Sequence, residues 1–425
     1  MKKALIITYY WPPAGGSGVQ RWLKFVKYFR DFGIEPVVYT VENPNYPIVD
    51  ESLEKDIPEG MEILKQPIWE PNNLFAFFGK SKTESAGFLN PNPTFLGKIL
   101  QYIRANYFIP DARKFWVKPS TSYLKKYLKT NKIDVVITTG PPHSMHLIGL
   151  NLKKELNIKW IADFRDPWTE IDYFQQLPLT KKAVEKHHTL EKEVLKNADA
   201  VLVVGKTMQD NFRPFNTNVI AVTNGFDEVF ADEKVVLDSK FTITHIGLMN
   251  ADRNPKMLWE VLSEIVFENK EFASDFELKL IGKADVSVIA DISAFRFSNN
   301  VQVIDYVTHD KVVEFQQKSQ VLLLIVNNVP NAKGIITGKI FEYLMAKRPI
   351  LAIAPIDGDL AEIIKETNSG LVVDFEDKNT LKMAILDLYA TFKQGKLEIE
   401  SKNIAQFHRK ELTKKVSELI HKITE

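Results

Sequence analysis

The stretch ALIITYYWPPAGGSGVQR, residues 4–21, decides the fold. Residues 4–8 form a short apolar run, which predicts a buried β-strand. Trp11-Pro12-Pro13 ends it, and Gly15-Gly16-Ser17-Gly18 leads into an amphipathic stretch at 17–31 that predicts a helix. Glycines let a backbone approach a ligand closely, and the free N–H groups of a helix start attract anions. Gly15, Gly16, Ser17 and Gly18 are therefore candidate ligand contacts. The alternative is a tight connection with no ligand. The spacing is not Gly-x-Gly-x-x-Gly, which disfavours a dinucleotide cofactor, and no Gly-x-x-x-x-Gly-Lys-Ser/Thr phosphate loop is present.

The rhythm continues outward. Further strands are expected at 36–40, 134–138, 158–162, 200–204 and 219–222, and helices at 119–129, 144–156 and 180–197. The pattern then restarts at THIGLMNADRNPK, residues 244–256, again a strand end, a polar loop and a helix start. Strands follow at 242–246, 277–281, 301–304, 321–326, 350–353 and 371–373, with helices at 255–268, 309–317, 338–346, 359–365 and 380–391. Continuous β-branched runs separated by helices indicate parallel strands in doubly wound α/β sheets. Asn224-Gly225-Phe226-Asp227 is a strong turn between the halves. The reading is thus a Rossmann-like domain at 1–225, a second at 226–402, and a long terminal helix at 403–425 that packs back on the first. Two such domains facing across a cleft would put a ligand at the carboxyl ends of their strands.

Composition bounds the function. The 425 residues carry 55 Lys+Arg and 54 Asp+Glu, a net charge of +1, which argues against nucleic-acid binding through bulk charge. There is no cysteine, so disulfides, thiolate catalysis and Cys-based zinc sites are excluded. The N-terminal apolar run is short and lacks a cleavage pattern, so it reads as a strand and the expected location is cytoplasmic. No run of about 18 apolar residues occurs. Charge is unevenly placed. Residues 71–130 hold twelve aromatics, ten Lys/Arg and two acids, a local charge of +8. Such a segment suits an anionic membrane surface, peripherally bound, or a lipid-linked acceptor; core packing is the plainer account of its aromatics.

Four further motifs stand at expected strand ends. Asp163-Phe164-Arg165-Asp166-Pro167-Trp168 offers charged groups for sugar hydroxyls and an aromatic face for a ring, or an internal Arg–Asp brace. Gly140-Pro141-Pro142-His143-Ser144 offers His143 as a ligand contact, or only a packing residue beside a Ser144 cap. Gly247 to Lys256 brings Arg253 and Lys256 to a helix N-terminus, where cations are unfavourable unless an anion joins them, and Lys283 could add to them. Thr337-Gly338-Lys339 would bind phosphate oxygens, with Glu342 one turn on for a ribose diol, or paired with Lys339 on the helix surface. Asp357-Gly358-Asp359 is too weak for a metal motif, and Asp359 reads as a residue near a helix N-terminus.

Taken together, the Gly15–Gly18 loop, the 163–168 motif, Asn224–Asp227, Arg253-Asn254-Pro255 and Gly338-Lys339-Ile340-Phe341-Glu342-Tyr343-Leu344 resemble GT-B glycosyltransferases of family 4, of the bacterial surface-polysaccharide type. The resemblance implies a nucleotide-diphosphate sugar donor, retention at the anomeric carbon, a saccharide or lipid-linked acceptor, and no bound metal or other cofactor. It implies that Arg253 and Lys339 contact the diphosphate and Glu342 the ribose, that the Gly15–Gly18 loop lies near the phosphates, and that Asp163, Arg165 and Asp166 line the sugar and acceptor wall. Such families commonly carry a second glutamate eight positions before the first; here that position is Gly334. A nucleotide-sugar epimerase and a non-catalytic nucleotide-sugar-binding protein are the competing readings.

Overall fold

The computed structural model describes residues 1–70, 94–172, 174–227, 235–305 and 307–425. Residues 71–93 of the basic, aromatic segment, with Phe75, Phe77, Phe78, Phe88, Lys80 and Lys82, lie outside the described residues. The chain divides into two compact units, Met1–Asn224 with Arg409–Glu425, and Gly225–His408.

In the first unit the described strands form one parallel sheet of seven, ordered β3-β2-β1-β4-β5-β6-β7. They are β1 Lys2–Ile7, β2 Ile34–Val41, β3 Glu62–Gln66, β4 Val135–Gly140, β5 Trp160–Phe164, β6 Ala200–Val203 and β7 Val219–Ala221. The helices are α1 Ser17–Phe29, α2 Phe95–Tyr107, α3 Lys114–Thr130, α4 Ser144–Leu156, α5 Lys181–Asn197 and α6 Lys206–Phe212. Strand β1 pairs with β2 on one side and β4 on the other, so the loop after β1 sits where strand order reverses. Strand β3, of sequence EILKQ, escaped the hydrophobic reading because it is a half-polar edge strand with no fully buried residue.

Helix α3 starts five residues before the expected 119. Pro119 lies inside it, losing one backbone hydrogen bond, while Trp116, Ser120, Thr121 and Leu124 make its buried stripe. Trp116 stacks on Tyr39 of β2 with ring centroids 5.0 Å apart. Part of the aromatic segment is therefore core.

The second unit repeats the scheme with a parallel sheet of six described strands, ordered β10-β9-β8-β11-β12-β13. These are β8 Phe241–Ile246, β9 Phe276–Ile281, β10 Val301–Ile304, β11 Val321–Ile325, β12 Ile350–Ile353 and β13 Gly370–Val373. Its helices are α7 Lys256–Glu268, α8 Lys270–Asp275, α9 Val286–Ser293, α10 His309–Lys318, α11 Lys339–Ala346, α12 Asp359–Thr367 and α13 Lys378–Lys393. Asp359 is the first residue of α12, as its reading near a helix N-terminus implies.

The terminal helix, α14 Arg409–Thr424, is shorter than the expected 403–425. Residues 404–407 form a separate 3-10 turn in the second unit, where the Phe226 N–H donates to the Phe407 carbonyl at 3.1 Å. Helix α14 belongs to the first unit. Its Leu412, Val416, Leu419 and Ile420 are buried in one cluster with Trp22, Leu23, Val26 and Phe29 of α1. Each such side chain contributes about 1.5–3 kcal/mol of transfer free energy. Among the described residues no helix is long and apolar enough to cross a membrane.

Candidate functional site

In the second unit β8 and β9 end on two glycines with left-handed backbones, Gly247 at φ 108° and Gly282 at φ 106°. A Cβ on Gly282 would lie 3.0 Å from the Gly247 carbonyl oxygen, so the two strand ends can pass only without side chains. A Cβ on Gly247 would lie 2.9 Å from Cε and 3.0 Å from Nζ of Lys339. The Lys339 side chain thus lies over the end of β8. It projects from the first turn of α11, whose start has Gly338 as cap residue and no side-chain cap. Nothing stands within 4 Å of where a Gly338 Cβ would be, so the backbone at this helix start is open.

Among the described residues no carboxylate forms an ion pair with Lys339, and Glu342 acts on its charge only from further off. The Lys339 Nζ lies 3.3 Å from Nε2 of His245, a residue only 1% exposed. The His245 Nδ1 lies 3.2 Å from the Leu323 carbonyl oxygen, which can only accept, so Nδ1 carries the proton and Nε2 accepts from the lysine. Burial, then the Lys339 charge, pushes His245 down to about 3, so it is neutral. Burial, then Arg253, lowers Lys339 to about 8. Arg253 donates from Nε to Oδ1 of Asn327 at 2.6 Å and from an Nη to the Leu248 carbonyl at 3.5 Å. Glu342 accepts from Nε2 of Gln316 at 3.1 Å, and no ion pair joins it to Lys339; the plain helix-surface pairing is absent. Lys283 is exposed, and its carbonyl accepts the Met249 N–H at 3.0 Å. Thr337 Oγ1 accepts weakly from the Lys339 N–H at 3.4 Å. Asn254 bonds Asp291 and Trp259, and so holds the loop that carries Arg253. Gly334 ends a 3-10 turn whose N–H bonds Asn331, leaving no side chain at the position where a second glutamate was sought.

The first unit places its motif residues differently from expectation. Asp163, expected on the ligand wall, is fully buried. Its Oδ1 accepts from Nε and an Nη of Arg21 at 3.2 and 2.9 Å, and its Oδ2 from Trp22 Nε1 at 2.7 Å and Thr139 Oγ1 at 2.8 Å. Both oxygens are used within the core, so Asp163 braces α1 against β4 and β5. The Arg–Asp brace foreseen inside the motif exists, but its arginine is Arg21. Arg165 clamps backbone instead: its guanidinium donates to the carbonyls of Gly18 at 2.5 Å, Gly140 at 3.3 Å and Pro141. Asp166 keeps an exposed surface, yet the protein crowded around its carboxyl raises it above the usual carboxylate range, with Arg165 opposing the shift.

Trp168 offers no face to a sugar. It is 3% exposed, stacks on His143 at 4.9 Å and 5°, and donates from Nε1 to His187 Nδ1 at 2.9 Å. Glu191 of α5 accepts the backbone N–H groups of Trp168 and Thr169 at 3.1 and 3.2 Å, which locks the loop. His143 is buried, and burial, then its neighbour His146, holds it well below the usual imidazole range. The start of α4 behind it is capped by a distant residue, Asp111, whose carboxylate accepts Ser144 N–H at 2.9 Å and Oγ at 2.8 Å. His143 is therefore a packing residue of the loop, and Ser144 is itself capped rather than the cap.

The glycine loop splits in two. The Gly15 N–H donates to Ile48 carbonyl at 2.9 Å, and a Cβ there would lie 2.8 Å from Ile48 Cγ2, so Gly15 serves packing. A Cβ on Gly18 would lie 2.7 Å from an Nη of Arg165, so Gly18 makes room for the clamp. Gly16, at φ 90° with open space beside it, is the cap residue of α1, and Ser17 begins the helix without a side-chain cap or an acid in the first turn. That leaves the α1 start as the anion-attracting part of this loop.

Sequence reasoning missed Arg21, Glu191, His245 and Asn327. His245 had a signal, being an ionisable residue inside the apolar strand 242–246. Among the described residues no three His, Asp or Glu side chains gather as a metal-ion site.

Known proteins share this architecture. WaaG, a glycosyltransferase involved in lipopolysaccharide biosynthesis, superimposes with a TM-score of 0.53 at 12% identity, over 99% of this chain and 98% of its own. The trehalose-6-phosphate phosphatase N-terminal domain of Candida albicans gives 0.64 at 13% identity, over 99% and 97%. UDP-GlcNAc 2-epimerase from Methanocaldococcus jannaschii gives 0.52 at 12%, over 99% and 100%. At such identities the likeness establishes the two-domain GT-B-like fold, and proteins of different activities share it. No curated protein sequence matches the chain. Residues 240–391, which contain Gly247, Arg253, Lys339 and Glu342, match the family model described as Glycosyl transferases group 1, so the second unit carries a domain of that family.

Proposed function

We propose that this chain is a retaining glycosyltransferase. It moves a sugar from a nucleotide-diphosphate sugar to a saccharide or lipid-linked acceptor in cell-envelope glycan synthesis. The supporting observation is Lys339: a cation at an open helix start, half-buried, with a neutral histidine as its partner, inside the region that matches the glycosyl transferase model. Burying a cation without a carboxylate is unfavourable, and an anionic ligand offsets that cost.

In the transfer, the bond from the anomeric carbon to the β-phosphate oxygen breaks and a bond from that carbon to the acceptor oxygen forms. The acceptor proton passes to the departing phosphate. Negative charge grows on the β-phosphate as it leaves. Lys339 and Arg253, with the open N–H groups at the α11 start, stabilise that charge more in the transition state than in the ground state. Glu342 receives the ribose diol. In this reading the two side-chain cations supply the charge stabilisation, and no bound metal is called for. Asp166 is the carboxylate of the 163–168 motif left to contact sugar or acceptor.

A thermal-shift screen of nucleotide sugars tests the donor class, since a ligand that binds the native state raises its stability by mass action. We expect one nucleotide sugar to shift the melting temperature of the native chain and not of Lys339→Met. Release of nucleoside diphosphate should then depend on an added acceptor. Conversion of UDP-N-acetylglucosamine to its epimer without an acceptor would instead identify an epimerase. Binding with no turnover under any acceptor would identify a binding protein.

A further inference from the structure

Helix α2, Phe95–Tyr107, buries none of its residues. Phe95 is 81% exposed and Tyr107 66%, and Leu96, Ile99, Tyr102 and Ile103 are exposed as well. So many large apolar side chains on one short exposed helix is unusual for a surface that meets only water. The helix is not loosely attached. Asn106 ties it to the segment before α5, donating to the Pro178 carbonyl at 2.8 Å and accepting the Thr180 N–H at 2.7 Å. Thr94 caps its start.

The apolar surface continues past the helix end. Phe108 meets Phe115 edge to face at 5.7 Å, and Phe115 meets Trp69 at 4.9 Å, with Trp69 57% exposed. Charge around it is mainly positive. Helix α2 contains Lys98 and Arg104 and no acid. Lys114 Nζ donates to the Tyr107 carbonyl and lies over the Phe108 and Phe115 rings at 5.8 and 5.3 Å. Burial, then Lys186, lowers the Lys114 amine, which places another cation close by. The first six residues of α5 hold Lys181, Lys182 and Lys186 against the single acid Glu185. Two other basic residues of the segment are paired with acids: Arg113 with Glu70 at 3.0 Å, and Lys125 with Glu155.

We propose that α2, with Trp69 and Phe115, is a docking surface for an anionic lipid bilayer. Phe95, Leu96 and Ile99 enter the headgroup and acyl boundary, while Lys98, Lys114 and the α5 lysines meet anionic headgroups. Aromatic rings with basic neighbours are the side chains that such an interface favours. A second copy of this chain would meet the same cations and be repelled. The surface is argued from the first unit alone, so it stands or falls separately from the proposed sugar transfer.

The test is co-sedimentation of the full chain with phosphatidylglycerol-rich and with pure phosphatidylcholine vesicles, at low and high salt. We expect binding to the anionic vesicles that weakens with salt. The variant Phe95→Ser/Leu96→Ser/Ile99→Ser should lose it while keeping the native melting temperature, because none of the three residues is buried. Lys98→Ala should weaken it about fivefold. Absence of binding by the native chain at low salt, or equal binding by the triple variant, would overturn the proposal. So would a dimer in solution that the triple variant abolishes, since the face would then be an interface between copies.

Discussion

With Lys339 against the donor diphosphate, as proposed, donor binding depends on pH. The Lys339 amine is lowered to about 8 by burial and by Arg253. A diphosphate seated against it favours the charged form and raises that value. Below pH 8 the free protein already carries the proton, so affinity is flat. Above pH 8 the proton must be taken up on binding, and affinity falls. The charged fraction drops from about 0.9 at pH 7 to about 0.1 at pH 9, a tenfold loss of affinity, or about 1.4 kcal/mol. The diphosphate of a nucleotide sugar has no titrating proton in this range, so the effect belongs to the protein.

Isothermal titration in two buffers of different ionisation enthalpy measures the uptake directly. About half a proton should be taken up at pH 8, and little at pH 6.5. Lys339→Met should bind weakly and take up none near pH 8. An affinity unchanged from pH 7 to pH 9, or equal uptake by Lys339→Met, would refute the reasoning. The same shift has a stability counterpart. Between pH 8 and 10.5 the unfolded state holds more protons than the native one, so the native state gains stability as pH rises through that window. Lys339→Met should accordingly be more stable than the native chain at pH 7, by up to about 3 kcal/mol, in a denaturant titration.

Other consequences follow from the first unit and from the buried histidines. Asp163→Ala leaves Arg21 buried without its partner and should cost about 3–5 kcal/mol; Asp166→Asn should stay within about 0.5 kcal/mol while lowering turnover, and urea titration with a coupled assay separates the two. Gly18→Ala puts a methyl 2.7 Å from Arg165 and should cost about 1–3 kcal/mol, with Arg165→Met restoring part of the loss if the clamp is the cause. His146 and His245 are each lowered to about 3, so the unfolded state binds more protons below its ordinary value of 6.5. Stability is therefore fully present above pH 6.5 and lost progressively as pH falls towards 3. His245→Gln should flatten that acid limb in a pH series of melts.

The sequence by itself determined the architecture. Buried parallel strands are rich in apolar residues, and each expected strand, from residues 4–8 to 371–373, became a strand in one of two sheets. What lay outside that signal was missed: β3 because an edge strand needs no apolar run, α2 because its apolar residues are not buried, and α6, α8 and α9 because helices of 7, 6 and 8 residues are too short to show a period. Local chemistry also singled out Arg253 and Lys256, since cations at a helix start oppose the helix dipole, and Lys339 through its glycine-led helix start.

Only the tertiary structure decided which charged residues are free to act. Asp163 and Asp166 lie three positions apart in one motif, yet Asp163, within the wholly buried β5, sits in the core beside Arg21, while Asp166, past the strand end, keeps an exposed surface. The partner that consumes Asp163 is 142 positions away, and the histidine that holds Lys339 is 94 positions away. Helix α14 returns to α1 across nearly 400 positions, as the contact of Arg409 with Gln20 shows. Whether a carboxylate is a brace or a reagent depends on what neighbours it after folding. Those neighbours are set by packing between distant segments, where sequence spacing carries no information.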